Sequence, residues 1–212
     1  SGYFGTIPVY TAVGDLQAAV LGAGNLPEET ISVNIGTGSQ VSIIKNKRPR
    51  ENVEVRPYFG GHYLKTVTHI PAGRAVNSFI RLVCDKPQAA WNLIRKMKAD
   101  EILNSNLVID LAIFRSANGY KRGGSISNVH EDDLTVKNYL ASLIKNLLQQ
   151  YVLIAQNLMG KKADCRTILS GGIPKQLPSS LEIFSRLSGL KVSKTGKMDE
   201  TLEGLKNLSE KL

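Results

Sequence analysis

The sequence predicts an α/β domain built on a mixed sheet of about five strands flanked by helices. Three observations carry this. β-branched runs separated by glycine turns crowd the first third, a long amphipathic repeat fills residues 140–158, and short strands alternate with helices after it.

Residues 7–13, IPVYTAV, read as a short buried strand that ends at Gly14-Asp15, and Leu16 to Gly22 as a helix of small residues. ISVNIGTGSQVSII sets two β-branched runs on either side of Gly36-Thr37-Gly38, which predicts a hairpin closed by a glycine turn. A third strand is expected within YFGGHYLKTVTH, after a turn at Arg56-Pro57. RAVNSFIRLVC reads as a helix, and Pro87 opens another over QAAWNLIRKMKA. Residues 100–133 show no regular element beyond a short apolar run from Leu107 to Phe114, and NGYKRGGSISN has loop chemistry.

The strongest helix follows. Leu140, Leu143, Ile144, Leu147, Leu148, Tyr151, Ala155 and Leu158 recur at three- and four-residue spacing behind Thr135, a candidate N-cap. After Gly160, CRTILSGG is an apolar strand halted by two glycines. SSLEIFSRLSG is a helix with Ser179 and Glu182 in capping-box spacing and Gly189 as its stop. LKVSKT gives a last strand, and DETLEGLKNLSEKL a terminal amphipathic helix with Leu202, Leu205 and Leu208 on one side. Strands separated by helices enter a sheet as parallel neighbours. Three successive strands followed by helix, strand, helix, strand and helix suit an actin-like, ribonuclease H-like ATPase domain, with residues 1–212 as one unit.

Composition narrows the function. With 212 residues, 42% hydrophobic and 21% charged, the chain reads as a globular protein with a substantial core. Its apolar stretches are broken well short of the roughly 20 residues a bilayer-spanning helix needs, and no basic-then-apolar leader opens it. A cytoplasmic protein is the expectation, and Cys84 and Cys165, without CxxC spacing, fit reduced core thiols. The net charge of +9 includes a run at Lys45, Lys47, Arg48 and Arg50, but no aromatic residue interrupts it, so it reads as a solvated loop rather than a nucleic-acid surface. Excess positive charge also draws in a polyanionic small ligand. His62, His69 and His130 are the only histidines and lack ligand spacing, so no protein-held metal is expected. Glu131-Asp132-Asp133 precedes the long helix, whose N-terminal dipole accounts for it.

Gly14-Asp15, Gly36-Thr37-Gly38 and Ser170-Gly171-Gly172 each end a predicted strand, where glycine lets backbone N–H groups approach a phosphate. GxxxxGK[ST] is absent and GTGSQV lacks the third glycine of a dinucleotide fingerprint, which argues against P-loop and Rossmann enzymes. Asp15 is then the acid to explain, because an ionised carboxylate at the mouth of a core element must be paired, solvated or used.

Taken in order, GTIPVYTAVGDLQAAVLGAG, VNIGTGSQVSII, RPYFGGHYLKTVTHIPAGRAVNSF and TILSGGIPKQ resemble the C-terminal domain of FGGY carbohydrate kinases, most closely the sedoheptulokinase-like members. The resemblance runs from Gly5 to Leu208 and is thin between Asp85 and Ala112. It implies that Asp15 is the catalytic base that takes the proton of a sugar hydroxyl as the hydroxyl attacks the γ-phosphate of ATP bound with Mg²⁺. It further implies nucleotide contacts at Gly36, Thr37, Gly38, Gly73, Gly171 and Gly172, with Gln176 at an adenine-contacting position. Departures are Leu16 directly after the base, Ile173-Pro174 after SGG, and FRSANGYKRGGSIS without a GxR. The family's first phosphate loop, with its Asp-x-Gly-Thr pattern, and most of its sugar pocket belong to an N-terminal domain not represented in these residues. The chain is therefore expected to be one domain of a kinase, inactive alone, whose partners are a sugar, ATP and that other domain. The alternatives are a non-catalytic actin-like module that keeps the nucleotide turns, and a basic nucleic-acid-binding domain.

Overall fold

The computed structural model describes residues 2–36, 39–50, 53–114, 123–160, 165–196 and 199–210. The chain opens with a small antiparallel hairpin, β1 (Gly2–Phe4) and β2 (Ile7–Val9), which stands outside the main sheet with Tyr3, Phe4 and Ile7 exposed. The buried strand expected over residues 7–13 is thus an exposed one that ends at Val9. Helix α1 (Asp15–Gly22) follows as the small-residue pattern predicts, with Gly14 as its N-cap.

β3 (Thr30–Asn34) and β4 (Gln40–Lys45) form the expected hairpin, in a register that pairs Ile31 with Ile43 and Asn34 with Gln40. Next come β5 (Glu54–Pro57) and β6 (Tyr63–Thr68), both antiparallel to their neighbours. Arg56-Pro57 therefore lies in a strand. The turn is made downstream at Phe59–Gly61, where Gly60 and Gly61 adopt positive φ. Helices α2 (Gly73–Ile80), α3 (Pro87–Lys96) and α4 (Ala99–Leu103) cross over, followed by the hairpin of β7 (Val108–Asp110) and β8 (Ser125–Ser127). Residues 100–133 are thus more regular than their sequence implies. α4 is held by a bond from the Lys98 N–H back to the Glu101 carboxylate at 2.7 Å, and β7 finds its partner across a long connection.

α5 (Val136–Met159) is capped by Thr135, whose Oγ1 accepts from Asn138 N–H at 3.1 Å. β9 (Arg166–Ser170), α6 (Gly172–Gln176), α7 (Ser180–Ser188), β10 (Val192–Lys194) and α8 (Glu200–Ser209) complete the chain. Gly189 ends α7 in the left-handed region, as its position predicts. Ser179, by contrast, is itself in a helical conformation and makes no side-chain cap, so the capping box is not formed.

The main sheet has six strands rather than five, in the order β10-β9-β3-β4-β6-β5. β10 and β9 run parallel to β3, while β4, β6 and β5 alternate. One face, including Ile31, Val33, Val41 and Ile43, is covered by α5 and its neighbours in a single large core. The opposite face holds Ile44 and Leu64 against Leu16 and Val20 of α1. β3 is buried over most of its length because both faces are covered: Ile31 and Val33 alternate with Thr30 and Ser32, small polar residues that are buried as well. The predicted leucine face of α8 does not carry its docking. Leu202 is 64% exposed, and Gly204 is the buried residue, set against α1. Cys84 and Cys165 are free thiols, and no helix among the described residues is long and apolar enough to cross a membrane.

Candidate active site

Pairing across the sheet sets four strand-end residues in a row: Ser170 opposite Asn34, Asn34 opposite Gln40, and Gln40 opposite Thr68. Open-sheet proteins gather ligands at such an edge, beyond the ends of the parallel strands. A cleft of about 840 Å³ lies over it, and Asp15, Gly36, Gly73, Gly172 and Gln176 all contribute to its wall. Gly171 lines an adjoining hollow of about 580 Å³ that shares Asp15, Gly36 and Gly172 with the cleft. Thr37 and Gly38 lie outside the described residues.

The two glycine turns abut because the strands beneath them are neighbours. Ile35 N–H donates to Ser170 O at 2.9 Å, and Ile173 N–H returns to Ile35 O at 3.1 Å. At Gly171, φ is 96°, and a Cβ would come within 2.6 Å of the Ile35 carbonyl oxygen, so only glycine fits. A Cβ on Gly36 would stand 3.5 Å from Gly172 N. The Gly36 N–H is engaged within its own turn, donating to Ser39 Oγ at 3.2 Å, so this glycine shapes the turn. At Gly172 and Gly73 a Cβ would meet no protein atom within 4 Å, which leaves open space beside their backbones.

Asp15 occupies the first position of α1, not the end of a strand as its sequence setting predicts. It is exposed, and its Oδ1 accepts from Leu16 N–H at 2.7 Å. Gln176, the last residue of α6, accepts at Oε1 from Arg95 at 3.4 Å.

Sequence reasoning missed the cationic wall. Arg56, Arg74 and Arg81 line the cleft, with Asp15 as the carboxylate among its lining residues. Arg74, Asn77 and Arg81 follow Gly73 at helical spacing, a signal legible in PAGRAVNSFIR. The Arg74 guanidinium sits 3.9 Å over the Phe114 ring, and Asn77 Oδ1 accepts from Trp91 Nε1 at 2.9 Å. Arg56 is ion-paired with Glu54 at 2.6 Å, so Arg74 and Arg81 are the guanidinium groups that make a chemically coherent seat for a polyanion beside the glycine turns. No group of three or more His, Cys, Asp and Glu residues able to hold a metal occurs among the described residues.

No protein-family model and no curated protein matches the sequence. Solved structures do resemble the chain. Ligand-bound xylulose kinase from Lactobacillus acidophilus is 14% identical with a TM-score of 0.75, over 89% of this chain and 39% of that one. Gluconate kinase from the same organism gives 15% and 0.74, over 92% and 40%. Glycerol kinase from Plasmodium falciparum with ADP gives 17% and 0.68, over 93% and 41%. The chain thus spans about two fifths of the length of each kinase it resembles. With its six-stranded mixed sheet between helical layers, it has the actin-like ATPase fold seen in the matched part of these kinases.

Proposed function

We propose that this chain is the nucleotide-binding, C-terminal half of an ATP-dependent carbohydrate kinase, and that a ketose, with a seven-carbon sugar favoured, is the substrate of the whole enzyme. The observation that carries the reading is the meeting of the Asp15 carboxylate with Gly36 and Gly172 on one cleft. The cationic wall and the likeness to solved sugar and polyol kinases support it. The sugar preference rests on the sequence resemblance.

ATP fits the residues present. Its phosphates would lie along the Gly36-Thr37-Gly38 and Gly171-Gly172 turns, where the open space beside Gly172 admits them, and Gly73 and Gln176 would border the nucleoside. Mg²⁺ would be held chiefly by the phosphate oxygens of the nucleotide and by water, which leaves the Asp15 carboxylate on the cleft wall for the sugar hydroxyl. Bound ATP supplies the phosphoryl group and Mg²⁺ the charge neutralisation. Asp15 takes the proton of the attacking sugar hydroxyl, the Leu16 N–H fixes its carboxylate plane, and the arginines hold the negative charge of the nucleotide.

The test is a coupled ADP-release assay with sedoheptulose, xylulose and glycerol, on the chain alone and on the chain combined with the remainder of the kinase. The chain alone should be inactive, because one cleft wall cannot align base, hydroxyl and phosphate. Turnover on combination should fall by at least about 10²-fold in Asp15→Asn with MgADP affinity unchanged. Equal turnover of mutant and parent would remove Asp15 from the role of base, and no turnover on combination would mark the chain as a non-catalytic module.

A further inference from the structure

We propose that His69 is a hydroxyl-reading residue of the cleft, its imidazole held with Nε2 as the acceptor by a hydrogen-bonded chain that runs through Thr68 and Glu54 to Arg56. The choice of ligand probes rests on the kinase reading above; the assignment of the ring does not.

Register creates the chain. β5 pairs with β6 so that Glu54 lies opposite Thr66 and Arg56 opposite Leu64, which sets the Glu54 carboxylate beside Thr68 at the sheet's edge. Glu54 Oε1 accepts from Arg56 Nε at 2.7 Å, and the Arg56 guanidinium completes the ion pair at 2.6 Å. Glu54 Oε2 accepts from Thr68 Oγ1 at 3.0 Å. A hydroxyl has one proton, and a carboxylate without protons commits it to Glu54. Thr68 Oγ1 therefore presents a lone pair to His69 Nδ1, 2.9 Å away. Two lone pairs at that distance repel, so Nδ1 carries the proton and donates. A neutral imidazole has a single N–H, which leaves Nε2 as the acceptor.

Placement turns this into a ligand-reading group. Arg56, Thr68 and His69 all line the cleft that holds Asp15 and Gly36. His69 adopts a left-handed backbone with φ of 56°, one of three such non-glycine residues among those described. Such strain is held only where the surroundings over-determine it, and it concentrates at binding sites. The next residue, Ile70, donates to the Ser39 carbonyl at 3.4 Å, so the His69 segment is anchored to the same turn that carries Gly36. Among lining groups dominated by guanidinium donors, an imidazole acceptor complements a ligand that brings hydroxyl donors together with phosphate acceptors. A nucleotide ribose and a sugar substrate share that chemistry.

The experiment uses the 212-residue chain with ¹⁵N-labelled histidine and glycine. Long-range ¹H–¹⁵N spectra of the ring nitrogens should show His69 as the Nδ1–H form, with His62→Gln and His130→Gln giving the assignment. Thr68→Val and Glu54→Gln should move it toward the Nε2–H form, and Thr68→Ser should restore the parent spectrum. A parent His69 mainly in the Nε2–H form overturns the proposal. MgADP, its 2′,3′-dideoxy analogue, sedoheptulose and xylulose are then added in turn. A His69 Nε2 shift with MgADP but not the dideoxy compound identifies the ribose; a shift with a sugar identifies the sugar hydroxyl. His69→Ala should weaken the responding probe roughly fivefold, the value of one hydrogen bond, with the thermal midpoint unchanged. If no probe moves His69, the assignment falls. If MgADP also leaves the Gly36 and Gly172 amides unmoved, the kinase reading falls with it.

Discussion

Gly204 on α8 lies against Ala18 on α1 so closely that a Cβ at 204 would overlap the Ala18 carbonyl, and Gly22 meets Glu200 in the same way from the other side. The two helices dock backbone to backbone. This contact matters to the cleft, because α1 begins at Asp15 and α8 is preceded by Asp199, both of which line the hollow beside the glycine turns.

Gly204→Val is therefore expected to cost about 2–4 kcal/mol, through overpacking at a contact with no room to relax. Leu202→Ala, at an exposed position of the same helix, should stay within about 0.5 kcal/mol. Urea denaturation of both variants checks the contrast. A larger loss in the leucine variant would restore the leucine face as the docking surface.

The neighbouring glycines of the β9 turn should separate fold from ligand. Gly171→Ala forces a side chain at positive φ into the Ile35 carbonyl, with an expected loss of about 2–4 kcal/mol. At Gly172 an added Cβ has open space around it, so Gly172→Ala should melt within a few degrees of the parent while MgADP affinity falls at least about tenfold. Calorimetry beside a thermal melt measures both, and unchanged affinity in the folded Gly172 variant would make the turn purely structural.

Two serine and threonine positions test the helix starts. Thr135→Ala removes a formed cap from α5 and should cost about 1 kcal/mol. Ser179→Ala removes a buried hydroxyl oxygen that has no hydrogen-bond partner, so stability should hold or rise slightly. Parallel denaturant titrations decide, and equal losses would mean that Ser179 caps α7 after all.

Alkaline stability should carry the mark of Tyr139, whose hydroxyl donates to Phe79 O at 2.9 Å inside the core. Burial pushes its pKa up to about 12. Between the ordinary tyrosine value of about 10 and that raised value, the folded state holds a proton the unfolded state has lost, so stability is complete below the lower value and declines as pH rises through the upper one. Burial of Tyr58 acts in the same direction. Tyr139→Phe should make the alkaline decline shallower and cost about 1 kcal/mol at neutral pH, since Phe79 O keeps a bond from Leu82 N–H. Thermal midpoints across the alkaline range provide the measurement, and an unchanged slope would exclude Tyr139 from it.

What the sequence determined by itself was local. The repeat from Leu140 to Leu158 defines α5 because its spacing places Leu140, Leu143, Leu147, Leu148 and Leu158 on one face, and Thr135 and Gly189 mark helix ends through bonds and dihedrals that involve only nearby residues. The β3–β4 hairpin was legible for the same reason, and with the later strand order it predicted the architecture. Tertiary structure decided the rest. IPV has the composition of a core strand, yet among the described residues it pairs only with Gly2–Phe4, and Ile7 and Val9 remain exposed, because burial depends on what covers a strand. Glycine on α8 displaced leucine as the docking residue because close backbone approach is a property of two helices, Ala18 and Gly204 being far apart in sequence. In the cleft, the glycines and Asp15 stood out as motifs, but the arginine wall and the link from Glu54 to His69 did not. Arg74 and Arg81 join the wall only once α2 packs beside the sheet edge, while Arg56 and the link from Glu54 to His69 exist only once β5 pairs with β6 in one register, and no local preference encodes a register that a one-residue slip would turn to the other face.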